Sequence, residues 1–372
     1  MSISMKESCD NIYKDGVIEV GYAANIPYFY ASAFEQLKLK CTLLMPLNLD
    51  TKWQPIFYGY PSNGNPLNID IKFYQGSPAI ALSRALRNLR RPYLIHVHIG
   101  SAIRDLYPVS VISSSCRVPT IIEFHGTDVR EIKNQKKTFL SLLKLCNKYV
   151  YFAASTPDLL SYGIEMFWLP NPVDPLALSF RCKRTSDTKV TIFIPTRFDR
   201  NKNVHYFLCR FYQIIISGYI NPKNYVLKVV RWGEQDLLAL ADALVHKLKE
   251  NGVDVIVLPL LKRERYLYEL CHSDIVIGQF KLGIYSQVEL EALAMNKHVI
   301  SMINKPLYFR FIGETPPVHN YNPLQDTLGK DLSVILTSFN PNLENTAGQR
   351  YVLKYHQAEK IALTILKALG LK

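Results

Sequence analysis

Short β-rich segments alternate with segments of helical periodicity along almost the whole chain, and this alternation limits the folds that the sequence can adopt. Apolar runs bounded by turn residues are typical of buried strands, whereas apolar residues spaced three and four apart are typical of helices. Chains that repeat this order form parallel sheets covered by helices. The sequence therefore predicts an α/β protein. The predicted strands are 17–23, 41–46, 69–74, 93–99, 119–124, 149–154, 190–195, 225–230, 254–258 and 274–277.

The same pattern predicts helices and a division into two domains. The predicted helices are 31–39, 78–91, 138–146 and 204–217, one that begins at Ser286, and a C-terminal stripe over 351–369. A length of 372 residues favours two domains. Proline-rich and basic residues at 170–189 interrupt the alternation, as in a connector. The sequence thus predicts a first domain over 1–178, a second over 190–348, and a C-terminal helix over 349–372 that can pack on the first.

The net charge and the cysteine content indicate which partners and which cellular compartment to expect. The chain has 44 Lys and Arg against 31 Asp and Glu, a net charge of +13, which favours anionic partners: phosphorylated ligands, lipid headgroups or nucleic acid. Seven scattered cysteines without a C-x-x-C pair predict neither a disulfide framework nor a zinc site, so we interpret them as reduced, although cytosolic cysteines can pair in hyperthermophiles. No membrane span or signal core is predicted, and the expected compartment is the cytoplasm.

The segment 279–300 combines a glycine-containing loop, a capped helix and a buried strand. Ser286 and Glu289 have the S-x-x-E spacing of a capping box, which predicts a helix start at about Ser286. The free N–H groups and positive dipole end of such a helix favour a phosphate, and Gly283 would let backbone approach a ligand. Glu291 either accepts hydrogen bonds from a ribose diol or lies in a solvated first turn.

Two further segments follow predicted strands and carry polar side chains. Arg197 and Lys202 lie directly after the strand 190–195, where they either clamp a diphosphate or form a solvated basic turn. In the first domain, His125 follows the strand 119–124. A histidine there can hydrogen-bond a sugar hydroxyl or a developing charge, while Asp128 either orients it or caps the next helix.

Five short segments, taken in order, carry a resemblance to a known family. They are His125-Gly126-Thr127-Asp128-Val129-Arg130, Leu169-Pro170-Asn171-Pro172-Val173-Asp174, Arg197 with Lys202, Gly233, and Glu291-Ala292-Leu293-Ala294 before Val299-Ile300. Together they resemble the GT-B glycosyltransferases of family four, which are retaining enzymes that use nucleotide-activated sugars. The resemblance implies two Rossmann-like domains facing across a cleft, with the acceptor bound mainly by the first domain and the nucleotide sugar by the second.

The resemblance also implies roles for the matching positions. Residues implied for catalysis are His125, Asp128, Arg197 and Lys202. Residues implied for the donor are Gly233, Leu261, Gln279, Gly283, Tyr285, Ser286 and Glu291, and those on the acceptor side are Gly126 and Arg130. The two cations would bind the diphosphate, Glu291 the ribose, and the backbone near Leu261 the base. No metal or other cofactor is expected, and the leaving phosphate would help deprotonate the acceptor hydroxyl.

The sequence departs from the family pattern at two informative positions. Families of this kind carry two glutamates separated by seven residues, yet Gly283 stands eight positions before Glu291. Gln279 or Tyr285 would then substitute as a sugar or phosphate contact. Asn296 replaces the usual glycine at the helix end, where a left-handed residue is needed and asparagine is the next best choice.

The motifs present and absent in the sequence also bear on classes of function other than glycosyl transfer. A D-x-D motif and a G-x-G-x-x-G motif are both absent, which argues against metal-dependent single-domain transferases and redox Rossmann enzymes. His96 and His98 share one strand face, but without a third ligand we interpret them as packing residues rather than a metal site. A degenerate GT-B protein that binds a nucleotide or glycan without turnover remains open, as does a nucleotide-sugar epimerase.

Two basic clusters in the first domain bear on membrane attachment. Arg84, Arg87 and Arg91 form an i, i+3, i+7 stripe on the predicted helix 78–91, and three lysines occur at 133–137. Such a stripe either attracts anionic headgroups, which would suit a lipid-linked acceptor and peripheral attachment, or is a solvated helix face. No interleaving of basic and aromatic residues indicates a nucleic-acid partner.

Overall fold

The computed structural model of this chain describes residues 16–21, 26–46, 69–88, 92–99, 106–126, 149–162, 165–182 and 189–371. The chain divides into two compact units. The first combines Met1–Pro172 with Tyr355–Lys372, and the second is Val173–Lys354. The second unit therefore begins within the segment 170–189, and the C-terminal end of the chain belongs to the first unit.

The described part of the first unit contains a parallel sheet of seven strands in the order β3-β2-β1-β4-β5-β6-β7. The strands are β1 (Val17–Gly21), β2 (Cys41–Pro46), β3 (Asp70–Tyr74), β4 (Leu94–Ile99), β5 (Thr120–Phe124), β6 (Val150–Ala154) and β7 (Phe167–Trp168). The described helices are α1 (Ile26–Gln36), α2 (Pro78–Asn88), α3 (Leu106–Cys116) and, at the C-terminal end, α12 (Ala358–Ala368).

Helices cover both faces of this sheet because apolar residues occupy successive strand positions. Successive side chains of a strand point to opposite faces. Val17 belongs to a buried cluster with residues of α1 and α12, whereas its neighbour Ile18 belongs to a second cluster with residues of α2 and α3. The final helix packs beside α1 through Ile361 and Ile365.

The second unit contains, among the described residues, a parallel sheet of six strands in the order β10-β9-β8-β11-β12-β13. The strands are β8 (Val190–Ile194), β9 (Tyr225–Val230), β10 (Asp254–Leu258), β11 (Ile275–Ile277), β12 (His298–Ser301) and β13 (His319–Asn320). The helices are α4 (Pro175–Ser179), α5 (Val204–Ile216), α6 (Gln235–Glu250), α7 (Arg263–Cys271), α8 (Gln287–Ala294), α9 (Lys305–Ile312), α10 (Lys330–Thr337) and α11 (Thr346–Tyr355).

Both sheets are doubly wound, so the predicted α/β class is confirmed. In each sheet the strand order reverses beside the first strand, between β1 and β4 in the first unit and between β8 and β11 in the second. Parallel sheets of this kind bind ligands outside the carboxyl ends of the strands at such a reversal. The loops that follow β8 and β11 therefore form the candidate ligand site of the second unit.

Several predicted helix boundaries need correction. Helix α1 begins at Ile26 rather than at 31, and six described helices were not predicted: α3, α4, α6, α7, α9 and α10. The single C-terminal stripe is two helices, α11 and α12, separated at positions 356–357. The predicted helix over 138–146 lies outside the described residues.

The prediction that all cysteines are reduced is wrong for two of them. Cys182 and Cys271 form a disulfide within the second unit. Their sequence separation of 89 residues hid the pair, since only the fold brings the end of α7 beside the segment after α4. Cys41, Cys116 and Cys209 are free. Among the described helices, none combines the length and the apolar character that crossing a membrane requires.

Candidate functional site

The turn after β8 is built around Asp199, which holds Arg197 and the backbone near Lys202. One carboxylate oxygen accepts hydrogen bonds from the backbone N–H of Asn201 at 2.9 Å and of Lys202 at 2.7 Å, and the other accepts from Arg197 Nε at 2.5 Å. The Arg197 side chain is 38% exposed and lies over the Trp232 ring, 5.9 Å from its centroid. The buried Asp199 carboxylate therefore fixes the position of Arg197 Nε, while the Arg197 side chain remains partly exposed.

Hydrogen bonds join this turn to the loop after β11. The backbone N–H of Phe280 donates to the carbonyl of Lys202 at 2.8 Å, and Lys281 Nζ donates to the carbonyl of Arg200 at 2.7 Å. Thr196 Oγ1 donates to the Ile277 carbonyl at 2.8 Å, which links the ends of the two strands. The two loops that flank the strand reversal thus form one connected surface.

Gly233 supports the same turn from the loop after β9. It pairs with Phe198 in an isolated parallel bridge and has a φ of 143°. A Cβ at this position would lie 2.1 Å from the Phe198 carbonyl oxygen. Only glycine therefore lets the β9 loop approach the backbone that carries Arg197.

The loop after β11 is held by a network around Gln279 and Glu289, both fully buried. The predicted capping box of Ser286 and Glu289 is present, and α8 begins directly after Ser286 as expected. One oxygen of Glu289 accepts from the Ser286 backbone N–H at 2.9 Å, and the other accepts from the Gln279 backbone N–H and from Ser301 Oγ, each at 3.0 Å. The Gln279 side-chain oxygen accepts from the backbone N–H of Leu282 at 2.8 Å.

Gly283, Tyr285 and Leu261 occupy different surroundings near this loop. Gly283 is buried with a φ of 69°, and its carbonyl accepts from the Asn304 backbone N–H at 2.8 Å. The Tyr285 ring is buried beside Tyr308 and Tyr351, with centroids 5.2 Å and 6.2 Å away. Leu261 is half-buried in the loop between β10 and α7. Gly283 and Tyr285 thus shape the loop from inside.

Glu291 lies in a buried ion triad, not in a solvated turn. Arg263 NH2 lies 2.6 Å from Glu291 Oε1 and 2.5 Å from Asp174 Oδ2, and all three residues are at most 6% exposed. Burial opposes the charge of Arg263, but the carboxylates of Glu291 and Asp174 outweigh it and raise the pKa of the guanidinium well above its ordinary value. The triad therefore fixes the orientation of the Glu291 carboxylate.

In the first unit, His125 follows β5 and belongs to a chain of hydrogen-bonding groups. Its Nδ1 lies 3.2 Å from Asn171 Oδ1, and its Nε2 lies 3.0 Å from His98 Nδ1. Gly126 is buried and has a φ of 131°. Asp128 and Arg130, predicted beside it, lie outside the described residues.

The expectation that His96 and His98 lack a third partner is wrong. His98 Nε2 lies 2.6 Å from Glu19 Oε2 of β1, and His96 Nε2 lies 3.0 Å from Glu123 Oε2 of β5. Together with His125 these side chains form the histidine–glutamate cluster, and each of the other four members is at most 3% exposed. The cluster is carried by the adjacent parallel strands β1, β4 and β5. Glu19 and His96 lie in mid-strand, whereas His98, Glu123 and His125 lie at the carboxyl ends.

The pKa values of the three histidines differ, since one is raised and two are lowered. Burial lowers the pKa of His96, but the carboxylates of Glu19 and Glu123 outweigh it and raise the pKa to about 9. Burial and the charge of His96 lower the pKa of His125 to about 3 and that of His98 well below its ordinary value. At neutral pH, His125 is therefore a neutral imidazole.

Most of the basic residues that were predicted to face a membrane surface lie outside the part of the chain that the structure describes. Arg84 is exposed on α2. The side chain of Arg87, together with Arg91 and the lysines at 133–137, lies outside the described residues.

Sequence reasoning missed the residues that hold the site residues in place. These are Asp199 for Arg197, Arg263 for Glu291, and Glu19 and Glu123 for the histidines. Asp199 lies two residues from Arg197 in the same basic turn, so its proximity was a signal. Arg263 lies 28 residues from Glu291 and 89 from Asp174, and no local pattern joins them.

Solved structures with the same architecture include a complex with UDP and glucose and a sucrose-phosphate synthase. The structure of HepE from Anabaena in complex with UDP and glucose aligns with a TM-score of 0.66 and 12% sequence identity, covering 95% of this chain and 99% of that one. Sucrose-phosphate synthase from Thermosynechococcus elongatus aligns with a TM-score of 0.64 and 14% identity, covering 95% and 98% of the two chains.

A third structure, trehalose-6-phosphate from E. coli bound with UDP-2-fluoro glucose, aligns with a TM-score of 0.66 and 10% identity, covering 95% of this chain and 98% of that one. No family model matches the sequence, and no curated protein sequence matches it. The likeness therefore concerns the fold. The chain has the fold of the GT-B glycosyltransferases, with one Rossmann-like domain in each of its two units.

Proposed function

We propose that this protein transfers a glycosyl group from a nucleotide-sugar donor to an acceptor hydroxyl. The observation that carries the proposal is the joined pair of loops at the strand reversal of the second sheet. One loop carries Arg197 and Lys202, and the other leads into the N-terminus of α8. The hydrogen bond from Phe280 to the Lys202 carbonyl holds the two loops together. Doubly wound sheets bind phosphorylated ligands at this position.

The chemistry of these groups suits a leaving diphosphate. The guanidinium of Arg197 can form two parallel hydrogen bonds to phosphate oxygens, whereas Lys202 supplies a compact positive charge. Both would stabilise the negative charge that develops when the bond from the sugar C1 to the phosphate oxygen breaks. The neutralising charges come from the protein, so the proposed reaction uses no metal at the diphosphate.

The proposed reaction proceeds with retention of configuration. The acceptor oxygen forms its bond to the sugar C1 on the face from which the phosphate leaves, and the acceptor proton passes to a departing phosphate oxygen. His125 would contact the transferred sugar as a neutral imidazole, because burial keeps its pKa near 3. Asp128 is proposed to act in catalysis with His125, and Gly126 and Arg130 belong to the proposed acceptor side.

Glu291 is the proposed ribose contact and Leu261 the proposed backbone contact of the base. Arg263 donates to both carboxylate oxygens of Glu291. A carboxylate has about four acceptor positions, so a ribose hydroxyl can still donate to it. The described similarity to structures that contain UDP, UDP-glucose or UDP-2-fluoro glucose supports a uridine nucleotide sugar as the first donor to test.

The acceptor class in this proposal is a hydroxyl of a glycan, a lipid-linked carrier or a small molecule. A lipid-linked acceptor would place the protein at an anionic membrane surface, which the net charge of +13 favours. The exposed Arg84 on α2 is the described member of the basic stripe that would face such a surface.

A second candidate function, binding without turnover, is favoured by one observation. Gly283 stands where the related enzymes carry a glutamate, and a Cβ there would lie 3.0 Å from Asn304 Cβ. A side chain at Gly283 would therefore strain the left-handed backbone and push against Asn304. The family's first glutamate has no equivalent at this position.

Nucleotide release across a panel of nucleotide sugars separates the two candidates. The purified chain is incubated with UDP-, GDP- and ADP-linked sugars, and free nucleotide and melting temperature are both measured. A transferase releases nucleotide slowly by hydrolysis from at least one donor, and faster when its acceptor is added. A melting temperature that rises with a donor while no nucleotide appears, even with acceptors of all three classes, would contradict transfer and support binding alone.

A further inference from the structure

We infer that the first unit contains a binding site for a divalent transition-metal ion, formed by His98, Glu123 and His125. His98 lies in β4, Glu123 lies in β5, and His125 follows β5 directly. One ligand atom from each of the three residues lies within 4.8 Å of the other two. The inference shares His125 with the proposed sugar transfer, so its test is metal binding itself and not activity.

The spacing of the three side chains fits a small ion. His98 Nδ1 lies 3.4 Å from Glu123 Oε2 and 3.0 Å from His125 Nε2. Ligand atoms about 2.0–2.1 Å from a tetrahedral zinc ion lie roughly 3.3 Å from one another. These two separations lie on either side of this value, whereas His125 lies further from the glutamate, with Nδ1 3.9 Å from Glu123 Oε1. Placing an ion between all three side chains therefore requires His125 to move closer to Glu123.

The outer nitrogens of both histidines face oxygen atoms, and this directs their lone pairs inwards. His98 Nε2 faces Glu19 Oε2 at 2.6 Å, and His125 Nδ1 faces Asn171 Oδ1 at 3.2 Å. A neutral imidazole carries one N–H, and an N–H on each outer nitrogen satisfies these two acceptors. His98 Nδ1 and His125 Nε2 then present lone pairs towards each other, and His98 Nδ1 also faces the Glu123 carboxylate at 3.4 Å. A cation bound between these electron-pair donors would remove the repulsion between the two facing lone pairs.

The surrounding residues follow the pattern of the outer sphere of metal sites. Metal-binding histidines usually donate their second N–H to a carboxylate or carbonyl, and metal-binding carboxylates are themselves hydrogen-bonded. Glu19 and Asn171 are the partners of the two histidines, and His96 Nε2 lies 3.0 Å from Glu123 Oε2. Each of the three proposed ligands thus has an outer partner.

The ligand set selects the class of metal. Two imidazole nitrogens and one carboxylate oxygen suit zinc, iron(II) or cobalt(II), whereas magnesium and calcium prefer oxygen ligands alone. Three protein ligands leave one position for water or another ligand. The His125 side chain is 11% exposed while the His98 and Glu123 side chains are fully buried, so access is from the His125 side.

Zinc is the probe for this site. The full chain is stripped with a chelator, dialysed against Zn²⁺ or Mg²⁺, and analysed for bound metal. We expect one zinc ion per chain, bound at the histidine–glutamate cluster, and no bound magnesium. We also expect an X-ray absorption spectrum with nitrogen and oxygen ligands at about 2.0 Å. A spectrum dominated by sulfur would place the ion on a cysteine and overturn the proposal, as would the absence of bound zinc.

Conservative variants assign the ion to these residues. Glu123→Gln and His98→Gln should each abolish stoichiometric zinc, and Asn171→Leu, which removes only an outer partner, should weaken zinc binding by about 10–100-fold. His319→Gln is the matched control, because His298 Nδ1 and His319 Nε2 form a similar pair at 3.1 Å in the second unit. Retained zinc in folded Glu123→Gln, or loss of zinc in the control alone, would overturn the proposal. If the two ligand variants do not fold, Asn171→Leu and the absorption spectrum decide.

Discussion

At the scale of single residues, buried charges hold the proposed site together more than its exposed cations do. Arg263 satisfies two carboxylates that lie in different parts of the sequence, Asp174 before α4 and Glu291 within α8. Breaking a buried ion pair by removing one partner leaves an uncompensated charge, which is more costly than losing an exposed pair. The triad therefore gives Glu291 a structural role beside any contact with ribose.

Replacing Arg263 with methionine should destabilise the second unit by about 3–5 kcal/mol, because two buried carboxylates lose their cation. The measurement is the unfolding free energy in urea. Arg265→Met, on the same helix, is the matched control. Its side chain is 58% exposed and its buried partner Glu269 keeps Lys228 Nζ at 2.7 Å, so the change should cost less than about 1 kcal/mol. Equal losses in the two variants would show that the triad contributes no more than a surface pair.

A second residue-scale prediction concerns pH and His356, which is fully buried in the first unit. Burial lowers its pKa from 6.5 to about 4, although the Asn171 carbonyl, which accepts from Nδ1 at 2.8 Å, opposes the shift. The unfolded chain therefore takes up a proton before the folded chain does. The stabilisation from His356 is complete above pH 6.5 and is lost as the pH falls towards 4, by about 3 kcal/mol in total.

Melting temperatures of wild type and His356→Gln between pH 7.5 and 4 check this prediction. The variant cannot titrate at this position, so its melting temperature should fall less steeply with acidification. Parallel curves for the two proteins would mean that His356 does not contribute to acid sensitivity.

At the scale of elements, the segments with strong local patterns were predicted well. The bounds of β2, β9 and β10 match the predicted ranges, and the capping box of α8 is present. Asn296, expected in a left-handed conformation after α8, has a φ of 58°. Helix α3 was missed because its residues, Leu-Tyr-Pro-Val-Ser-Val-Ile-Ser-Ser-Ser-Cys, include β-branched residues and serines with modest helix propensity.

Helix α7 is tied at both ends to the segment that follows the start of the second unit. Arg263 at its beginning contacts Asp174, and Cys271 at its end is bonded to Cys182. Both ties join residues far apart in sequence, which is why no sequence pattern predicted them. A cross-link that closes a long loop stabilises the fold chiefly by restricting the unfolded chain.

Replacing Cys182 with serine should therefore lower the unfolding free energy of the second unit by about 2–4 kcal/mol under non-reducing conditions. Cys116→Ser, which alters a free and exposed cysteine, is the control and should change it by less than about 0.5 kcal/mol. A reductant should abolish the difference between wild type and Cys182→Ser. If the two proteins are equally stable without reductant, the disulfide is not formed or contributes nothing.

At the scale of the whole molecule, the presence of two doubly wound α/β units could be predicted because strand and helix patterns repeat along the chain. Which side chains meet at the strand reversal could be predicted only in part. Arg197 and Lys202 were found because they follow a strand directly, whereas Glu19 and Arg263 act through partners in other elements. Local patterns report on elements, and contacts between distant elements emerge only with the fold.

The measurement that tests the central claim most directly is the affinity for UDP-glucose of the double variant Arg197→Ala/Lys202→Ala. Two charged hydrogen-bond donors at about 1.5–3 kcal/mol each predict a loss of about 100-fold or more in a variant that is still folded by circular dichroism. Arg200→Ala is the matched control from the same turn, because Arg200 is paired with Glu234 and Asp236, and its affinity should stay within about twofold. A double variant that binds the nucleotide sugar as tightly as wild type would contradict the account.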